Sequence, residues 1–235
     1  METNQVMIYC SNSVGFVRIE DSMGSDLSVV NAARVSFNKR KEELDDKDIR
    51  LMNFLANANP SHTMPFRHIY VTMQVKAPIF VLRQWQKHLI GCEYSFEQYK
   101  DTPWSEQSGR YIAYDGYWTP DYFRIAADNK KQGSIDSPHP NTALWLEKYK
   151  EHNENALELY QLMLEDGVAP EQARTLLGMN MYTNFYWTSS LQAVAHFVNL
   201  RDHEEAQKEI KEYAEIVDRL MTELFPISWS YRKKL

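Results

Sequence analysis

Cysteine is almost absent from this chain. Two residues, Cys10 and Cys92, among 235 supply neither a disulfide framework nor, by themselves, a zinc site. Cys92 stands beside Glu93 without a local base to activate it, so it reads as a structural or loop thiol rather than a nucleophile. Long apolar runs are also missing: nothing approaches the roughly 20 residues that span a bilayer. The opening METNQVMIYC has neither the basic start nor the apolar stretch of a secretion signal. A cytoplasmic location without membrane attachment is therefore the expectation. There is no excess of positive charge. With 26 Lys plus Arg against 32 Asp plus Glu, the net charge is -6, which argues against a surface that coats nucleic acid but permits a local basic pocket. No Gly-x-Ser-x-Gly elbow, His-Glu-x-x-His zinc motif, Gly-x-Gly-x-x-Gly fingerprint or P-loop is present, which removes the common hydrolase, metalloprotease and dinucleotide-fold readings.

What remains is an ordinary globular composition, 43% hydrophobic and 25% charged, at a length suited to one domain with a substantial core. No internal repeat or long low-complexity stretch divides it, so residues 1–235 are expected to form a single domain. GFVRIEDSMG reads as a strand and turn. SDLSVVNAARVSF reads as a helix capped near Ser25 or Asp26, with Leu27, Val30 and Ala33 at helical spacing. Residues 45–57 form a second amphipathic helix. From His68 to Lys76, Ile69, Val71, Met73 and Val75 alternate as in a strand. Pro78 is placed to open a helix reaching about Ile90 and stopped by Gly91. Residues 125–141 read as a flexible polar excursion. Helices follow over 142–166 and 171–177, then MNMYTNFYW, which local evidence leaves as strand or helix. TSSLQAVAHFVNLR reads as an arginine-ended helix, and a last long helix is expected from Asp202, with Glu205 completing an acidic capping box. The sum is a helix-rich α+β domain with a small central sheet.

Three groups of residues suggest chemistry. On the helix after Pro78, Gln84, Lys87 and His88 fall at i, i+3 and i+4. A polar line on an otherwise apolar helix is either a solvated face or a wall of a site. SEQSGRY (residues 105–111) combines Ser108, Gly109 and Arg110, where glycine permits close backbone approach and serine and arginine bind phosphate oxygens. Alone, the same string is equally a capped turn. Arg174 follows an apolar-flanked helix start and Arg201 ends a helical run; each suits either a helix dipole or an anionic ligand. The tryptophans and tyrosines are better read as packing than as base-stacking platforms in so acidic a chain, so no nucleic-acid partner is expected.

In order along the chain, SDLSVVNAARVSF, HTMPFRHIYVTMQVKAPIFVLRQW, SEQSGRY and MYTNFYWTSSLQAVAHFVNLR with the long final helix resemble the flavin-dependent thymidylate synthases, the ThyX family. The resemblance implies that family's fold and a homotetramer with active sites at subunit contacts. It also implies FAD, NADPH, and 5,10-methylenetetrahydrofolate as one-carbon donor, with dUMP converted to dTMP. Matched position by position, Gln84, Lys87, Glu106, Gln107, Ser108, Gly109, Arg110, Arg174 and Arg201 would hold dUMP. Arg201 would also promote ionisation at uracil N3, since a fixed cation lowers the cost of charge developing on the ring.

The implied FAD residues are His62, Met64, Lys87, His88, Glu106, Ser190, Gln192 and His196, and here the chain departs from the family. The signature Arg-His-Arg is replaced by Lys87-His88-Leu89, and 18 residues separate Leu89 from Ser108, more than twice the family's seven. An insertion near residues 92–104 accounts for the difference and is expected to cap an altered flavin pocket. Lys87 keeps its charge without the planar fork, and Leu89 loses it. Ser190 and Gln192 stand in place of Asn-x-Arg, His196 in place of asparagine, and Met64 in place of threonine. Two further readings follow: a related enzyme acting at C5 of dUMP or dCMP, such as a hydroxymethylase, with His196 as a candidate for the base switch, and a nucleotide-binding homologue without catalysis.

Overall fold

The computed structural model describes residues 6–60, 62–88, 94–96, 99–101, 104–114, 116–128 and 133–235, with backbone pairing alone for the two segments inside 94–101. In chain order the elements are β1 (Met7–Tyr9), β2 (Phe16–Met23), α1 (Asp26–Arg34), α2 (Asp46–Asn57), β3 (Tyr70–Pro78), α3 (Ile79–Trp85), β4 (Tyr94–Phe96), β5 (Tyr99–Asp101), β6 (Trp104–Glu106), β7 (Arg124–Ala126), β8 (Ser134–Pro138), α4 (Thr142–Glu165), α5 (Pro170–Ala173), β9 (Tyr182–Ser190), α6 (Leu191–Arg201), α7 (Lys208–Leu224) and α8 (Pro226–Trp229). Five strands form an antiparallel sheet in the order β1-β2-β3-β9-β6, while β4–β5 and β7–β8 are separate hairpins. The protein is thus α+β with a small central sheet.

The sheet is one-sided, as period-two alternation demands. Ile69 and, along β3, Val71, Met73, Val75 and Ala77 are buried, as are Val17 and Ile19 on β2 and Phe185 and Trp187 on β9. Helices α3, α6 and α7 cover that face. Trp85 is the hub of the core: its ring stacks on Phe197 at 4.3 Å and meets Phe185 and Trp187 edge-on. Such geometry contributes beyond simple area burial. On the other face, Thr72 and Thr188 share a hydroxyl hydrogen bond of 3.0 Å across β3 and β9.

Helix α1 begins where its sequence says it should. Ser25 is its N-cap, with a reciprocal box to Ser28. Val29 and Val30 are buried in α1, while Leu27 is only half-buried. Asp26, in its first turn, accepts hydrogen bonds from the backbone of Ile227 and Ser228, which ties α8 to α1. In α2, Met52, Leu55 and Ala56 are buried, and Asp45 caps the helix. Asp48 is a buried carboxylate paired with both Arg34 and Lys41, the arrangement that makes such burial tolerable.

Four expectations are corrected. The helix after Pro78 ends at Trp85, because His88 N–H turns back to the Trp85 carbonyl at 3.0 Å. Gln84, Lys87 and His88 therefore do not share a helical face, and Ile90 and Gly91 lie outside the described residues. Within 125–141 the described residues on either side of 129–132 pair as strands β7 and β8 rather than forming a loose excursion; Arg124 ties β7 to α7 by a bidentate pair with Glu209. Thr188 to Ser190 close β9 instead of opening a helix, so MNMYTNFYW resolves as strand. The last long helix starts at Lys208, because Asp202 is already used as the C-cap of α6 and pairs with Arg232. The proposed insertion falls on β4–β5 and on residues mostly outside those described. Among the described residues, no helix is long and apolar enough to cross a membrane.

Candidate functional site

The SEQSGRY string is folded against the start of β9. Glu106 ends β6, and Thr183 donates to its Oε1 at 3.1 Å. Gln107 is held twice, its N–H on the Asn184 carbonyl at 2.8 Å and its Oε1 accepting from Asn184 Nδ2 at 2.9 Å. The chain then turns through Gly109, with Tyr111 N–H bonded to the Ser108 carbonyl and Arg110 N–H to Ser108 Oγ. Gly109 is required by contact: a Cβ there would lie 2.4 Å from Cε2 of Tyr114. Tyr114 is buried, and its phenol is pushed up by that burial and by nearby Glu106, with Arg174 opposing. Glu106, Tyr114 and Arg174 thus occupy one neighbourhood. Arg110 projects outward, 3.4 Å from exposed Glu171, a pairing weak enough to yield to a better anion.

A second group surrounds Arg201, the last residue of α6. Its Nε donates to Nε2 of His88 at 2.8 Å, and its Nη2 to the Gln84 carbonyl at 3.2 Å. The Gln84 side chain donates to Gln207. Gln84 and Arg201 line a cavity of about 1170 Å³, walled further by Asn199, Gln207 and Lys208 and by Arg124 and Asp136 of the β7–β8 hairpin. Burial lowers the Arg201 pKa from its ordinary value, yet arginine stays cationic. His88 is buried, and its pKa is brought down to about 4 by burial first, then by Arg201 and His196. The His196 ring lies 5.9 Å from that of His88. Lys87 is exposed at the turn.

The third group lies at the other end of β9. Ser190 caps α6 through the Ala193 N–H. Gln192 donates to Thr63 Oγ1 and to the Leu235 carbonyl, each at 3.0 Å, and accepts from Arg67 Nε. His62 stacks near Phe54, and Met64 is exposed. Arg67 is exposed, and its terminal nitrogens have no acid partner among the described residues. A guanidinium held at Nε by Gln192, beside a helix start and an exposed imidazole, suits the diphosphate of a dinucleotide cofactor.

The structure therefore brings Arg201 together with Gln84, His88 and His196, and Glu106 with Gln107, Ser108, Gly109 and Arg174. His62, Met64, Ser190 and Gln192 stand at the other end of β9 from the Glu106 group: Tyr70 pairs with Ser190, whereas Pro78 pairs with Tyr182. Along the nine residues of β9 these ends are about 27 Å apart, while Gln192 and Arg201 share α6, about 14 Å apart at helical rise. Sequence reasoning missed Tyr114, Thr183, Asn184, Arg67 and Gln207. Arg67 alone carried a signal, a cation within the histidine-flanked turn HTMPFRH. The others act through strand register and loop return, which local spacing does not encode.

The sequence profile of the family described as "Thymidylate synthase complementing protein" matches residues 18–227. A flavin-dependent thymidylate synthase from Thermus thermophilus is 37% identical over 217 residues, 92% of this chain and 74% of its own. One from Thermosipho africanus is 38% identical over 220 residues, 92% of this chain and 89% of its own. Among solved structures, a UMP/dUMP methylase, PolB from Streptomyces cacaoi bound with 5-bromo-dUMP, superposes with a TM-score of 0.78 at 28% identity, covering 93% of this chain and 94% of its own.

Proposed function

Because the chain belongs to the family of flavin-dependent thymidylate synthases, we propose that it methylates dUMP to dTMP, with Arg201 as the group that acts on the uracil ring. One observation carries this reading: a desolvated arginine, held by two hydrogen bonds, forms part of the wall of a cavity large enough for a nucleotide. Partial burial strengthens its field on a bound ring. In that field the N3 proton is released to water, the negative charge spreads through the ring to C5, and C5 becomes the nucleophile toward the one-carbon unit. Gln84 and Gln107 offer amides to the base edge, and Glu106 orients the turn. Ser108, Gly109, Arg110 and Arg174 would supply the phosphate cradle, with Lys87 adding charge; none of them lines the Arg201 cavity of the same chain.

No protein thiolate is needed. Cys10 is buried and its thiol is pushed up to about 12 by that burial, which leaves it protonated at neutral pH. His62, Arg67, Ser190 and Gln192 suit the gripping of FAD, with Met64 as the substituted neighbour; His196, also substituted, stands beside His88. FAD, when bound, supplies reducing equivalents drawn from NADPH to the carbon that methylenetetrahydrofolate delivers. A homotetramer is the assembly that accounts for the separation of the two residue sets, since a second copy can set one beside the other.

The test is tritium release from C5-labelled dUMP with FAD, NADPH and methylenetetrahydrofolate supplied and each omitted in turn. Release that needs all three, with dTMP formed, supports the reading; a hydroxymethyl product or turnover of dCMP sinks it. The PolB neighbour acts on UMP as well as dUMP by its description, so UMP belongs in the same assay. Arg201→Ala should lower kcat by about 100- to 1,000-fold with little change in melting temperature. Parallel loss of activity and thermal stability would remove the assignment.

A further inference from the structure

We propose that His88 is the positioning residue of Arg201, a neutral imidazole that fixes the guanidinium on the cavity wall. The inference rests on the reading that Arg201 acts on the uracil ring. Its warrant is the direction of one hydrogen bond. Arginine can only donate, so the His88 Nε2 that receives Arg201 Nε–H at 2.8 Å presents a lone pair. The ring proton is then on Nδ1, which is buried and has no hydrogen-bond partner among the described residues. A buried donor left unpaired is unfavourable, and it persists here beside a well-made bond to Arg201.

Packing leaves the imidazole little freedom. His88 is 4% exposed. Its ring meets Phe197 edge-on at 5.1 Å, and Phe197 is stacked on Trp85. Among the described residues the charged or titratable groups facing it are Arg201 and His196, both from α6; from α3, the Trp85 carbonyl accepts the His88 backbone N–H and the Gln84 carbonyl accepts from Arg201. A proton on Nε2 would place a cation against the guanidinium and abolish the acceptor, so the neutral form is built in. Two of the five N–H groups of Arg201 are thereby used on the protein side, one on His88 and one on the Gln84 carbonyl. The other three have no partner among the described residues and can serve a ligand, in an orientation that neither bond alone would fix. The side chain assigned by resemblance to FAD thus serves the nucleotide side, one step behind the reacting ring.

The experiment follows N3 ionisation directly. 5-Bromo-dUMP is bound to the FAD-loaded enzyme, and its absorbance is titrated with pH against the same enzyme without nucleotide. Wild type should ionise bound nucleotide at lower pH than free nucleotide, and Arg201→Ala should abolish the difference. His88→Ala and His88→Asn should lose most of it, with kcat down by about 10- to 100-fold and KM for dUMP changed by less than about 3-fold. His88→Gln, whose amide oxygen reaches far enough to accept from Arg201 Nε, should recover much of both.

Unchanged ionisation and kcat in His88→Asn, with Arg201→Ala defective, would overturn the positioning role alone. Equal loss in the Gln and Asn variants at normal melting temperature would also overturn it. No effect of Arg201→Ala would remove the reading of Arg201 and this inference with it.

Discussion

Gly109 is small because Tyr114 occupies the space where its Cβ would stand. Gly109→Ala must push the ring or the turn aside, and the turn carries Ser108 and Arg110. The expected outcome is a loss of dUMP affinity of about 10-fold or more, with melting lowered by only a few degrees; calorimetric titration with dUMP checks it, and unchanged affinity would show that the turn is slack. His88 gives a second prediction at this scale. Its folded pKa of about 4 lies below the ordinary 6.5, so the unfolded chain binds more protons between these values. The stability it supports is therefore present above about pH 6.5 and is lost as pH falls toward 4, by about 3 kcal/mol at the lower end. Denaturant unfolding of His88→Gln across that window should show a flatter dependence on pH than wild type. These residues were legible to different degrees. Arg201 and Gln84 were visible as polar groups in apolar helices, whereas the inward turn of His88 depends on where α3 stops, and the first glycine after Trp85, Gly91, stands six residues on and points to a later stop.

At the scale of elements, periodicity was a sound guide wherever one face was buried. β3 reads directly from Ile69, Val71, Met73 and Val75, and α7 from Ile210, Tyr213, Val217 and Leu220, because burial imposes the period on the sequence. It gave no guidance where a long-range ionic contact decides the structure. Nothing local in residues 124–138 marks a hairpin; Arg124 meets Glu209 across 85 residues, and Lys208 meets Asp136. The Arg124–Glu209 pair is 18% and 10% exposed, between the surface case and the buried one. Arg124→Ala should cost about 1 to 3 kcal/mol of stability. A double-mutant cycle with Glu209→Gln measures the coupling, and additive losses would mean that the pair contributes little to holding the hairpin on α7.

The whole molecule is less complete than its elements. Helix α4 runs 24 residues with only Asn153 and Tyr160 buried, and leaves Leu144, Trp145, Leu159 and Leu162 exposed. Apolar groups repeated along an uncovered helix favour burial against another surface. The separation of the two site groups along β9 asks for a second chain as well, and no property of a single sequence states where a partner stands. Both features would be met by the proposed oligomer if copies of the chain cover α4 and each completed site takes its flavin-side residues from one protomer and its nucleotide-side residues from another. Mixing tests it. Arg67→Ala and Arg201→Ala each disable one side, so each homo-oligomer should be nearly inactive. Oligomers reassembled from equal amounts of both should contain sites in which one protomer supplies an intact Arg67 and another an intact Arg201. With random assortment roughly a quarter of sites are restored, and activity should return toward that fraction of wild type. If activity stays at the level of the separate variants while the oligomers demonstrably exchange subunits, both sides of the site belong to one chain.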